Sequence, residues 1–157
     1  MILVTVGTQL PFPRLIGLLD EMAPRLSKRV VAQIGFDTEP PRNIEYHRTL
    51  EPGLFDTLFR DARVIVAHAG MGTVLAAKKH GKPIIIFPRS AALGEHRNEH
   101  QLATARALAG HPGIYMAEDQ ASLEDLLAQP DLAPAGDGER LSLNRLLETI
   151  SSSLQAR

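Results

Sequence analysis

The chain contains no cysteine and no tryptophan. Without thiols there is no disulfide framework and no thiolate metal site, as in proteins of a reducing compartment. Aromatic residues make up only 4%, too few for the exposed ring platforms on which single-stranded nucleic acids stack. An excess of one charge is missing as well. The 17 Lys and Arg against 18 Asp and Glu leave a net −1. No global basic field draws a phosphate backbone, so nucleic acid is not expected as a partner. No apolar run approaches the ~20 residues of a membrane span. The start, Met1 to Gly7, has no charged region ahead of its short apolar run and does not read as a signal peptide. Any membrane association is expected to come through a partner or a surface patch rather than a direct span.

What is present is an ordinary globular composition, 44% apolar and 22% charged over 157 residues. That length points to one domain, burying about two-thirds of its unfolded surface without staples. Short apolar runs alternate with helix-period segments, the pattern of an α/β domain with a mostly parallel sheet flanked by helices. Strands are expected at Ile2–Val6, Val30–Gly35, Ile44–His47, Val64–Ala67, Ile84–Phe87 and Gly113–Met116. Helices are expected around Leu15–Met22, Leu54–Phe59, Gly72–His80, Glu95–Ala109 and Ser122–Leu127. Gly81 suits the residue after a helix end, and Ser122 an N-cap.

The composition shifts after Gln129. Residues 1–128 read as the domain proper, and 129–140 as a linker marked by Pro130, Pro134, Gly136 and Gly138. Residues 141–157 read as an amphipathic helix, with Leu143, Leu146, Leu147, Ile150 and Leu154 at helical spacing. Such a terminal helix packs on its own domain or docks on a second subunit.

Two segments carry chemistry. His68-Ala69-Gly70-Met71-Gly72-Thr73 lies between a buried strand and a helix. Backbone N–H groups and the positive end of a helix dipole there make an anion site at the carboxyl edge of the sheet. Gly70 and Gly72 would admit a diphosphate closely, and Thr73 would add a hydroxyl. The turn is no dinucleotide fingerprint, because Leu75 stands where the third glycine belongs, and it follows the fourth strand rather than the first. There is no Walker-type Lys-Ser pair either, which favours a sugar nucleotide over NAD or ATP. Taken alone, glycines in such a turn serve the turn itself about as often.

The second segment, Glu95-His96-Arg97-Asn98-Glu99-His100-Gln101, puts seven polar residues at an expected helix start. Its amides and carboxylates can bond sugar and ribose hydroxyls, while Arg97 and His96 can meet phosphate. A solvated helix face is the plain alternative. A third reading is H-x-x-E-H at 96–100, the inverted zinc-hydrolase pattern. Its histidines would share a helix face and would take a third ligand from Glu118 or Asp119.

Three strings in order are specific where each alone is not: Val66-Ala67-His68-Ala69-Gly70-Met71-Gly72-Thr73, then Gly81-Lys82-Pro83-Ile84-Ile85-Ile86-Phe87-Pro88-Arg89, then Gly94 to Gln101. Together they resemble the C-terminal half of family 28 glycosyltransferases, from Val4-Thr5-Val6-Gly7-Thr8 to about Leu127. Within that family the chain is most similar to small subunits of two-part enzymes. These are the donor subunit of the dolichol-linked N-acetylglucosaminyltransferase and its bacterial exopolysaccharide counterparts.

The resemblance implies a Rossmann-like domain equivalent to the C-terminal half of a GT-B enzyme, the half that holds a UDP-sugar. It implies a separate, membrane-associated partner subunit that holds a lipid-linked acceptor. The chain would then be cytoplasmic, peripheral at the membrane through that partner, and inactive alone. Carried over by position, Gly70, Met71, Gly72 and Thr73 would line the diphosphate. Glu99, His100 and Gln101 would contact sugar and ribose, and Gly7 and Thr8 would face the cleft. One departure is Ala76, where many members carry a ribose-binding glutamate that Glu95 or Glu99 would replace.

The implied reaction is inverting transfer, with helix dipoles and Arg97 or His96 stabilising the leaving diphosphate. Neither metal nor cofactor is needed for that. The general base is expected on the partner; His68 is a candidate here, although a strand-end histidine is more often a packing residue. A non-catalytic UDP-sugar-binding module is the alternative of another class.

Overall fold

The computed structural model describes residues 1–96, 100–136, 147–152 and 155. Its centre is a six-stranded sheet in which every pairing is parallel. The strands are β1 (Ile2–Thr5), β2 (Val30–Gln33), β3 (Glu45–His47), β4 (Val64–Ala67), β5 (Ile84–Ile86) and β6 (Ile114–Met116). Their spatial order is β3-β2-β1-β4-β5-β6. This is the doubly wound arrangement, with its switch point between β1 and β4.

The inner strands are apolar on both sides because both faces are covered. Side chains alternate between two cores. Ile2 and Val4 of β1, Val64 and Val66 of β4 and Ile85 of β5 belong to one. Leu3, Ile65, Ala67, Ile84 and Ile86 belong to the other. The first core is closed by Leu15, Ile16, Leu19 and Met22 of α1 (Pro13–Met22) and by Leu123 and Leu127 of α5 (Gln120–Ala128). The second is closed by Phe59 of α2 (Pro52–Asp61), Val74 and Ala77 of α3 (Met71–His80), and Ala105 and Leu108 of α4 (His100–Leu108). Helices covering both faces leave the carboxyl edge of the sheet as the open side.

All six expected strands form, most of them shorter by a residue or two at an end. Gly81 ends α3 in the left-handed conformation at φ +61°. Three expectations are corrected. Ser122 is not the cap of α5. Asp119 is, accepting the Ser122 N–H at 2.8 Å, while the Ser122 hydroxyl reaches back to the Asp119 N–H as the third residue of a capping box. Both residue types cap well, and the reciprocal bond decides which of them leads.

The second correction concerns the polar segment. Glu95 and His96 lie in a bend, after a short 3-10 turn over Ala91–Leu93 that Gly94 closes at φ +71°. They are therefore outside α4. The third concerns the expected linker, which is docked as far as Gly136. Ala135 is buried and donates its N–H to the Lys82 carbonyl, Gly136 donates to Pro112, and Ala133 to the Tyr115 hydroxyl. Proline and glycine mark irregular backbone, but irregular backbone also packs when its hydrogen bonds are met. Gly138, Leu143, Leu146 and Leu154 lie outside the described residues. Residues 147–152 are helical, and Ile150 packs on the second core. Among the described residues no helix is long and apolar enough to cross a membrane.

Candidate functional site

The carboxyl edge carries a cavity of about 500 Å³ directly over the switch point, within the size range of small-molecule sites. Loops that follow β1, β2, β3, β4 and β5 all contribute to its wall. The parallel sheet is the reason, since it sends every strand's exit to the same side.

At its centre His68 leaves β4 and lies between two glycines. A Cβ on Gly7 would fall 2.8 Å from the ring's Cε1, and one on Gly70 only 2.3 Å from Nε2. No other residue fits at either place without moving the imidazole. Gly70 was expected to serve a ligand, and in the structure its missing side chain serves His68. Gly72 is different, because a Cβ there would meet nothing within 4 Å. It borders open space in the cavity wall.

His68 is held neutral. Burial, then the Arg89 charge and more weakly that of His96, push its pKa down from 6.5 to about 4, and the Thr5 backbone acts in the opposite sense. Its Nδ1 is buried without a hydrogen-bond partner among the described residues.

Helix α3 opens on this cavity without a side-chain cap. The Gly70 N–H is bonded to the His68 carbonyl, and Val74 closes the first helical bond on Gly70. That leaves the N–H groups of Met71, Gly72 and Thr73 as the helix start without a partner among the described residues, with the positive end of the dipole behind them. Thr73 lines the cavity beside them.

The floor is polar and internally satisfied. Gln33, at the end of β2, accepts the Thr5 hydroxyl at 2.9 Å and donates to the Gly7 and Arg48 carbonyls at 3.0 and 3.2 Å. Arg48 in turn donates to the carbonyls of Gly35 and Thr38. Arg89 donates to Val6 and Leu10 at 2.8 and 2.7 Å. Both arginines line the cavity, and among the described residues no Asp or Glu does. The mouth carries Phe36 and Leu10, 65% and 44% exposed. A concavity with two cations, a helix start and, among the described residues, no carboxylate is electrostatically suited to an anion.

Of the residues singled out by sequence, Gly7, Thr8, His68, Gly70, Gly72, Thr73 and Gln101 line this one cavity. Met71 opens α3 but packs against the second core. His96 and His100 do not line the cavity, and Arg97, Asn98 and Glu99 lie outside the described residues. Glu95 is occupied elsewhere. Its carboxylate takes two bonds from the Arg14 Nε and one from Nη2 at 2.8 Å, plus the Ser90 N–H at 2.9 Å. It is thus not free to stand in for the glutamate replaced at Ala76.

The zinc pattern loses its geometric premise, since His96 is in a bend while His100 begins α4. Of its third-ligand candidates, Asp119 is spent as the α5 cap and Glu118 lies beside Arg106. No group of three His, Cys, Asp or Glu able to hold a metal occurs among the described residues. Sequence reasoning missed Arg89, Gln33 and Arg48. Each sits at or just past the carboxyl end of a strand, the signal that would have found them.

The doubly wound sheet, with a cavity at its switch point, defines a Rossmann-like domain. The glycosyltransferase family 28 C-terminal domain matches residues 1–131, and the chain belongs to that family. A relative from Granulibacter bethesdensis is 33% identical over 112 residues, 62% of this chain and 28% of its own length. It is a UDP-N-acetylglucosamine--N-acetylmuramyl-(pentapeptide) pyrophosphoryl-undecaprenol N-acetylglucosamine transferase. The chain therefore spans just over a quarter of that enzyme.

Among solved structures, the NMR structure of ALG13 superposes with a TM-score of 0.66 at 18% identity, covering 96% of both chains. The kitacinnamycin glycosyltransferase gives 0.62 at 21%, over 97% of this chain and 39% of its own. MurG of Acinetobacter baumannii gives 0.57 at 19%, over 98% and 44%. At these identities the likeness is one of fold, that of the C-terminal domain of GT-B glycosyltransferases.

Proposed function

We propose that the cavity binds the diphosphate of a UDP-sugar, and that the chain is the donor-binding subunit of an inverting glycosyltransferase. The observation that carries this is the start of α3, without a side-chain cap, facing a cavity that among the described residues has two arginines and no carboxylate. The diphosphate sits against the Met71, Gly72 and Thr73 N–H groups, where the open space at Gly72 admits it. As the sugar leaves, charge grows on the diphosphate. Fixed N–H dipoles and the buried Arg89 cation stabilise it there without reorganising. No metal or cofactor is assigned to this step.

The acceptor half belongs to a partner. The Granulibacter transferase, by its name, takes its sugar from a UDP-sugar and passes it to an undecaprenol-linked acceptor. By the sequence resemblance to two-part enzymes, a membrane-associated subunit holds the lipid-linked acceptor and the general base, with this chain beside it at the cytoplasmic membrane face. Exopolysaccharide synthesis is the process that the sequence resemblance favours.

Gly72→Asp tests the site. Its carboxylate enters the open space and meets the diphosphate with like charge, which costs several kcal/mol, roughly a hundred-fold or more in affinity for UDP. Calorimetric affinity equal to wild type would overturn the site. Transfer assays with and without the membrane fraction test the subunit arrangement. Donor binding with no transfer under either condition leaves a non-catalytic binding module.

A further inference from the structure

Arg89 follows β5 and is only 2% exposed. Its guanidinium donates to the carbonyls of Val6, Leu10 and Pro11, and it lies 4.6 Å from the centroid of the Phe12 ring. Its backbone N–H donates to the Gln101 side-chain oxygen at 3.1 Å. One residue thus ties three parts of the cavity wall together: the loop after β1, the exit of β5 and the first turn of α4.

That loop has no regular structure to hold it. Besides Arg89, it is fastened by Gln33 on the Gly7 carbonyl and a 3.4 Å contact from the Gly7 N–H to Thr5. Arg89 is in no ion pair among the described residues, and Glu95 favours its charge only from a distance. Burying a cation without a bridging carboxylate is costly, and an apolar side chain of similar volume would pack at less expense. A charge kept under that penalty is explained by an anion that completes it from the cavity side.

We propose that Arg89 is the positioning residue of the donor site: it fixes the loop that carries Gly7 and Thr8 against β5 and Gln101, and it presents its unpaired charge to the donor's phosphates. The second half of this rests on the donor reading above; the first half does not.

The test uses the full chain with Arg89→Met and Arg89→Lys, read by UDP calorimetry and by NMR of the His68 ring. Lysine keeps the charge but cannot span three carbonyls as the planar fork does. Both variants are expected to bind UDP about ten-fold more weakly or worse. In Arg89→Met the His68 titration moves up from about 4, and in Arg89→Lys it stays near the wild-type position.

A purely structural arginine would lower thermal stability and leave UDP affinity within two-fold in the folded variants, and that result overturns the proposal. If wild type itself binds no UDP, the donor reading falls. The positioning role is then decided by the amide signals of Val6, Gly7, Thr8 and Gln101. Signals that do not move in either variant overturn it. If Arg89→Met fails to fold, Arg89→Lys carries both measurements.

Discussion

Two glycines at the start of α3 should respond to alanine in opposite ways. At Gly70 the backbone has φ −86° and ψ 130°, which alanine adopts without strain, so any cost is steric. The added Cβ falls 2.3 Å from the His68 Nε2 and 2.6 Å from Cε1. The ring is already against Gly7 on its other side, so its way out is to swing toward the cavity. Overpacking of this kind costs about 1–3 kcal/mol.

At Gly72 the Cβ meets nothing within 4 Å, and the residue is second in the helix. Alanine there gains up to about 0.5–1 kcal/mol of helix stability. Urea melts at neutral pH separate the two variants, and thermal melts should show ~2–4 °C for each kcal/mol in a chain of this size. His68→Ala supplies the control, because in that background the cost of Gly70→Ala should largely vanish. The reasoning is refuted if Gly70→Ala is as stable as wild type, or if its cost persists without the imidazole.

His68 also makes stability depend on pH. Its folded pKa of about 4 lies below the usual 6.5, so the unfolded chain takes up the proton first. Stability is complete above 6.5 and is lost as pH falls toward 4, the loss reaching about 2–3 kcal/mol at pH 4.5. Denaturant melts of wild type and His68→Gln at pH 7.5 and 4.5 isolate this contribution, and an unchanged difference between the two proteins would argue against it. Glu95→Ala leaves Arg14 and the Ser90 N–H without their carboxylate and should destabilise by ~1–3 kcal/mol. UDP affinity should change little; a large loss of affinity with unchanged stability would return Glu95 to the ligand.

The strands were legible because their information is local. Val64-Ile65-Val66-Ala67 and Ile84-Ile85-Ile86 are buried on both faces and carry β-branched side chains that suit them. The Gly81 stop and the α1 face were legible for the same reason. The start of α4 was not. A run of polar residues has no apolar period to show where a bend ends and a helix begins, and Glu95 is held in place by Arg14, from the far end of the sequence. The docked stretch before Gly136 was misread because its fixing bonds go to Lys82, Pro112 and Tyr115, none of them a near neighbour.

The sequence by itself determined the parallel α/β class, the turn after β4 and the family to which its three strings belong. It also determined that His68, Gly70, Gly72 and Thr73 would stand at a sheet edge, since a strand-turn-helix unit puts them there whatever surrounds it. Only the tertiary structure decided that β1 lies beside β4 and so brings Gly7 onto the His68 ring. It alone set Gly70 of the cavity wall against the His68 ring and left Gly72 open, and it alone buried Arg89 beneath the loop after β1. Strand order is a long-range outcome of closing two cores on one sheet, and no local pattern encodes which exits will meet.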